Sequence, residues 1–188
     1  MMIIDGETAL NIRGENIFVD TNILLFVDGA LSFDKKERNY SDVYFELKKN
    51  NEFYTSEKCL GEFFNKLTNF YYDLDKKENP QIEGFKKYRK SSDFSASMDC
   101  IYDATVNFMS DMNVISNYES IDIRRAFEKV KTGLIDYCDV TSARLCVDRN
   151  FYFFSDDGDA FYCRDLKIIT NNKWILSNSK RRDELSVL

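Results

Sequence analysis

The chain predicts an α/β fold with a central parallel β-sheet of about four to five strands flanked by helices, and three observations predict it. Short apolar runs bounded by turn-forming residues, at 17–19 (IFV) and 151–155 (FYFFS), read as strands buried on both faces. Between them lie segments whose apolar residues recur at three and four positions, the spacing of amphipathic helices. Strands that alternate with helices form βαβ units, which require parallel pairing and place helices on both sides of the sheet.

The elements follow in order. Residues 1–16 read as a small hairpin or arm, with Gly6 and Gly14 as turn points. The strand at 17–19 runs into Asp20, Thr21 and Asn22, and Thr21 or Asn22 starts a short helix over 22–27. Residues 28–39 carry the run DKKER and read as a solvated charged loop. Ser41 caps a helix to about Lys49, with Val43, Phe45 and Leu47 as packing candidates. Residues 52–55 (EFYT) form the second strand, after which Thr55 or Ser56 caps a longer helix over 57–73. Leu60, Phe63, Phe64, Leu67, Phe70 and Tyr71 line its apolar stripe, and Pro80 closes it within the polar break DKKENPQ. Residues 81–112 return to helical spacing through Phe94, Met98, Ile101, Thr105, Phe108 and Met112. A third strand falls at 114–116, and a helix over 121–131 stops at Thr132 and Gly133. A helix at 136–149, the strand at 151–155, a helical turn at 160–162 and a last strand at 166–169 complete the pattern. Residues 172–188 are a polar tail, either a free end or a contact arm, with Lys180, Arg181 and Arg182 adjacent.

Composition narrows the chemistry. At 188 residues, 44% hydrophobic and 31% charged, the chain has the make-up of an ordinary soluble globular protein with a good core. Asp5 and Glu7 interrupt the opening apolar run, so no signal peptide is expected, and no run approaches the ~20 apolar residues that span a bilayer. Five irregularly spaced cysteines argue for free thiols in a reducing cytoplasm. There is no histidine, which excludes Ser-His-Asp and Cys-His nucleophile systems and histidine metal sites. No Gly-rich phosphate loop is present either. Carboxylates must therefore carry any catalysis. The net charge of −6 does not advertise nucleic acid, although acids neutralised by bound cations weaken that objection.

Two buried strands end directly in acidic residues: 17–19 in Asp20, and 151–155 in Asp156, Asp157 and Asp159. Parallel pairing brings both ends to the edge where open α/β sheets bind ligands. Glu62 and Asp139 lie in the opening turns of helices and can face the same edge. Each has a structural explanation by itself: Asp20 as a cap, Asp139 as a helix-dipole partner, Asp157 as a turn former and Glu62 as a solvated acid. Four together repel one another unless they hold hard divalent cations, which favour oxygen ligands.

Four blocks carry a resemblance to a known family: VDTNILL at 19–25, SEKCLGEFF at 56–64, DVTSARLC at 139–146 and FYFFSDDGDAF at 151–161. In these the chain resembles the PIN domain, a divalent-metal-dependent nuclease domain. The resemblance implies a four-acid site of Asp20, Glu62, Asp139 and Asp157 holding Mg²⁺ or Mn²⁺ and hydrolysing RNA phosphodiester bonds. It places Asn22 and Ser155 as residues that orient the acids. Asp136 is an alternative to Asp139, and Asp159 shares or replaces the role of Asp157. Glu62 and Asp139 are 77 positions apart, more than small family members carry, which points to an inserted helical segment at about 75–120 within a nuclease domain spanning 17–171. Small bacterial PIN proteins include VapC-like toxins, so an antitoxin protein and a homodimer enter as expected partners beside RNA. Two alternatives stand beside this reading. One is an inactive PIN-like module that binds RNA or a protein. The other is a phosphatase-like phosphotransfer protein, although Asn22 stands where a haloacid-dehalogenase motif places its second aspartate.

Overall fold

A computed structural model of the chain describes residues 2–29, 35–116 and 122–181. Its strands are β1 (Ile3–Ile4), β2 (Asn16–Val19), β3 (Glu52–Ser56), β4 (Asn113–Ile115), β5 (Tyr152–Phe154) and β6 (Lys167–Ile169). They form a single all-parallel sheet in the order β1-β6-β5-β2-β3-β4. The helices among the described residues are α1 (Gly6–Ala9), α2 (Thr21–Asp28), α3 (Lys35–Lys48), α4 (Glu57–Glu78), α5 (Phe85–Tyr88), α6 (Ser92–Asp111), α7 (Ile123–Val130), α8 (Tyr137–Arg149) and α9 (Lys173–Asn178). A 3-10 turn at Gly158–Tyr162 joins β5 to β6.

The central strands are apolar on both faces because each face carries a separate core. Ile17 and Val19 of β2 point into one, with Ile23 and Leu24 of α2, Tyr44 of α3 and Phe63 of α4. Phe18 points the opposite way and stacks on Phe153 at 5.8 Å, in a core shared with Ala143, Leu145 and Cys146 of α8. Successive side chains of one strand thus anchor opposite helical layers, which locks the pairing register. In that register Val19 stands opposite Phe154, and Phe154 opposite Ile169. The carboxyl ends of β2, β5 and β6 are level. β2 is also where the connections change side, since the chain leaves it toward β3 and returns to its other flank as β5. That is the switch point at which α/β sheets open a crevice.

Several elements differ from expectation. The sheet has six strands rather than four to five. The described residues 2–16 do not form a hairpin: Ile3–Ile4 is a parallel edge strand against β6, with Ile168 N–H donating to Met2 O and Thr170 N–H to Ile4 O. A two-residue strand carries no periodic signal, so only its partner reveals it. Residues 35–39 are helical instead of loop, because α3 begins at Lys35; residues 30–34 of that expected loop lie outside the described residues. Ser41 therefore sits inside α3 and donates to Phe26 O at 3.1 Å instead of capping. The expected helix at 121–131 is Ile123–Val130, capped by Asp122; residue 121 is not described. The expected tail is structured as far as residue 181, since Asn172 caps α9 and Trp174 packs on Phe161 at 4.9 Å. Residues 182–188, with Arg182, lie outside the described residues.

Helix α6 is attached to the frame by aromatic contacts. Phe108 meets Phe63 edge-on at 5.2 Å and Tyr44 at 6.4 Å. Phe63 is fully buried, so Phe63→Ala is expected to cost about 3–5 kcal/mol in chemical denaturation. Tyr102→Ala, at a site 63% exposed, should stay within about 0.5 kcal/mol of the parent.

Candidate functional site

The site is built at the level ends of β2 and β5. Asp20 N–H extends the sheet ladder by donating to Phe154 O at 3.1 Å. The Asp20 carboxylate, 6% exposed, accepts from Thr21 N–H at 2.8 Å on Oδ1, and from Asn22 Nδ2 and Ser155 Oγ, each at 2.7 Å, on Oδ2. Ser155 Oγ in turn accepts from Asn22 Nδ2 at 3.1 Å and from Asp157 N–H at 3.0 Å. Asn22 Oδ1 accepts from Asp156 N–H at 3.0 Å. These polar groups satisfy one another, as buried groups must. The result is one rigid clasp between two strand ends, with Asp20 at its centre.

Around the clasp stand the other acids. Single carboxylate oxygens of Asp139, Asp157 and Asp159 all lie within 4.8 Å of one another, the one group of three or more such ligands among the described residues. Asp139 comes from the first turn of α8, whereas Asp136 caps that helix by accepting Asp139 N–H at 2.9 Å. Between Asp136 and Asp139 the structure therefore brings only the latter into the grouping. Asp157 and Asp159 both join it, and Asp157 Oδ1 accepts Asp159 N–H at 2.9 Å, capping the 3-10 turn. Asp156 turns the other way, where it accepts from the Tyr40 hydroxyl. Glu62, on α4, accepts from Thr21 Oγ1 at 3.1 Å and pairs with Lys66 at 2.6 Å. That is an ordinary i,i+4 ion pair on one helix face. The Thr21 bridge to Glu62 escapes sequence reasoning, because no spacing marks a hydroxyl that works across 41 residues.

Burial and mutual repulsion dominate the electrostatics of these carboxylates. Burial pushes the Asp139 carboxyl up to about 9, helped by the charges of Asp20, Asp136, Asp157 and Asp159. Burial likewise lifts Asp20 to about 6; the Ser155 and Thr21 hydrogen bonds oppose this, and Asp157 and Glu62 add to it. Asp159 is raised by burial and then by Asp157 and Asp136. Burial tends to lower Lys66, yet its bond to Glu62 and the fields of Asp20 and Asp157 leave it raised. The donor set is oxygen alone. The neighbouring thiol, Cys59, is pushed up to about 12 by burial and by Asp20 and stays protonated. Such a set suits a hard divalent cation such as Mg²⁺ or Mn²⁺ rather than a thiophilic one.

An all-parallel α/β sheet with acids gathered at its carboxyl edge is a PIN-like arrangement. The particular likeness is to a chain in the crystal structure of VapBC2 from Rickettsia felis bound to a DNA fragment from their promoter. The TM-score is 0.51 at 15% identity, over 82% of this chain and 98% of that one. PAE2754 from Pyrobaculum aerophilum is also similar, with a TM-score of 0.45 at 12% identity over 90% of each chain, too low to support any argument. No family model and no curated protein matches the sequence. No helix among the described residues is long and apolar enough to cross a membrane.

Two expectations follow. Unfolded aspartates titrate near pH 4. Asp20 and Asp139 keep their protons to about 6 and about 9 when folded, so the folded state binds more protons than the unfolded one across that range. Their contribution to stability is complete below about pH 4 and is lost as the pH rises through 6 and then 9. Thermal melts of metal-free protein should shift down between pH 5 and 9, and Asp139→Asn should flatten the upper part of that slope and raise the melting temperature at pH 8. Ser155→Ala leaves the Asp157 N–H and an Asn22 proton without their acceptor, at a cost of about 1–3 kcal/mol in denaturant unfolding.

Proposed function

We propose that this chain is a divalent-metal-dependent endoribonuclease that hydrolyses RNA phosphodiester bonds, acting as the toxin of a toxin–antitoxin pair. The observation that carries the reading is the Asp139, Asp157 and Asp159 grouping set beside the clasped Asp20, at the switch point of a PIN-like sheet. RNA as substrate rests on the resemblance of the four sequence blocks. The toxin role, with an antitoxin protein as partner, draws support from the likeness in fold to the VapBC2 chain.

Asp20, Asp139 and Asp157 would hold the ion, with Asp159 beside them and Glu62 direct or through water. When bound, a Mg²⁺ or Mn²⁺ ion lowers the pKa of a coordinated water and stabilises charge on the scissile phosphate. The protein's own groups prepare the place. Ser155, Asn22 and Thr21 N–H fix the Asp20 oxygens, so little reorientation accompanies binding. Asp139 would give up its proton on ligating the ion, because a ligating carboxylate is ionised. Lys66 holds Glu62 and sets one positive charge at the rim, which eases the approach of a phosphodiester.

The test is cleavage of single-stranded RNA by purified protein with Mn²⁺ or Mg²⁺. Activity is expected to vanish in excess EDTA, and to fall by about a thousandfold or more in Asp20→Asn protein whose circular dichroism matches the parent. Full activity in either case would overturn the assignment. Calorimetry at pH 8 in buffers of different ionisation enthalpy should also detect release of about one proton per site filled.

A further inference from the structure

Helices α4 and α6 lie antiparallel, with Phe63 against Phe108 and Asp75 accepting from Ser97 Oγ, and they meet at a tip built from the end of α4, α5 and the start of α6. From residue 76 to residue 90 the chain reads KKENPQIEGFKKYRK, six cations against two acids in a chain whose net charge is −6. Packing explains why those cations face water. Phe85 and Tyr88, three apart on α5, take its inward side, each meeting Tyr72 of α4, at 5.4 and 5.3 Å. Tyr88, 2% exposed, also meets Phe94 of α6 edge-on at 5.3 Å, and its hydroxyl donates to Asp75. The residues on either side of Tyr88 must then turn outward, and Lys86, Lys87, Arg89 and Lys90 are all exposed, as are Lys76 and Lys77. Lys87 pairs with Glu83, and Lys76 lies over the Tyr72 ring at 5.5 Å. Among the described residues, Lys77, Lys86, Arg89 and Lys90 make no ion pair.

Helix α4 ties this tip to the acids, because it carries Glu62 near its start and Lys76 and Lys77 in its last turn. At 1.5 Å per residue Lys77 stands about 22 Å beyond Glu62 along the helix, and both lysines fall within about 60° of Glu62 around its axis. Asn65, Lys66, Asn69 and Asp73 occupy the same face between them and all are exposed. One open track, with Asp73 as its acid, therefore runs from the candidate metal site to the tip. Helix α6 exposes Asp93, Asp99 and Asp103 instead. A polyanion is thus admitted along α4 and repelled along α6. Phosphates of a stacked strand advance by about 3.4 Å, so a strand held at the acids meets the cations about six nucleotides away.

We propose that Lys77, Lys86, Arg89 and Lys90 at this tip bind the phosphate backbone of a single-stranded RNA about six nucleotides from the bond that is cleaved. This rests on the ribonuclease reading and adds a metal-independent contact that favours substrates long enough to span α4. Point charges on flexible side chains hold phosphates without reading bases, so the contact carries affinity and salt dependence but no sequence preference.

Fluorescence anisotropy of a labelled single-stranded RNA of about 24 nucleotides, titrated with intact protein in EDTA, reads the contact without requiring cleavage. A Kd of about 100 μM or below is expected at about 0.1 M salt. The variant combining Lys77→Gln, Lys86→Gln, Arg89→Gln and Lys90→Gln should bind at least about tenfold more weakly, and its slope of log affinity against log salt should be shallower by about 2–3. If that variant does not fold, Lys86→Gln with Lys90→Gln should weaken binding at least about threefold. In Mn²⁺-dependent cleavage the fourfold variant should raise KM for the long RNA at least about fivefold, with kcat within about twofold of the parent, and should cleave an RNA of about four nucleotides as the parent does. No RNA binding up to about 1 mM protein overturns the proposal. Binding indifferent to the substitutions, an equal rise in KM for the short RNA, or binding of a polyglutamate peptide or phosphatidylserine vesicles with none of RNA does the same. RNA binding that is lost with the charges, without cleavage of any RNA, removes the ribonuclease reading and leaves the contact. Metal-dependent cleavage with binding indifferent to the charges removes the contact alone.

Discussion

The fold around the site depends on one carboxylate with three hydrogen-bond donors. Asp20 ends β2, caps α2, and through Ser155 and Asn22 is tied to the end of β5. Buried, it loses the hydration that would stabilise its charge, and the three donors restore part of it. The clasp holds the two strand ends at the same level, which presents the acids of the 156–159 segment beside Asp20. Beneath it, Phe18 and Phe153 stack across the same two strands, so the polar edge stands on an apolar base that cannot shift.

The acids around Asp20 oppose the fold that assembles them. Asp139, Asp157 and Asp159 crowd together, and the cost appears as an Asp139 carboxyl that keeps its proton past neutrality. A chain selected for stability alone would have replaced one of them, and no buried cation among the described residues balances the group. Lys66 answers Glu62 at the rim but does not enter the grouping. Stability given up in this way at the switch point of a sheet is characteristic of sites that bind a cation.

On the same helix Arg144 lies just over one turn beyond Asp139 and is paired with Asp148. Helix α8 has an acidic first turn at the sheet edge and a following stretch that lines a cavity with α7. A net charge of −6 averages these and describes neither. Charge arrangement, and not charge balance, bears on what such a protein binds.

Much of this was legible in residue order. The buried strands at 17–19 and 151–155, the amphipathic stripe of α4 and the carboxylates at the strand ends all follow from apolar period and turn chemistry, which are local. Local rules misplaced what depends on a partner. Ile3–Ile4 is a strand only because β6 lies beside it; Ser41 looks like a cap until Phe26 O takes its hydroxyl; and residues 173–178 are helical where Asn172 caps them and Trp174 finds Phe161. For the site, sequence alone pointed to carboxylates at strand ends and in early helical turns, where the carboxyl edge of the sheet lies. It left Asp136 open against Asp139, and Asp157 against Asp159. Tertiary structure turns Asp136 into a cap and brings single carboxylate oxygens of Asp139, Asp157 and Asp159 within 4.8 Å of one another. The physical reason is that distances between side chains on separate elements are set by helix rotation and sheet register, and both come from packing rather than from spacing along the chain.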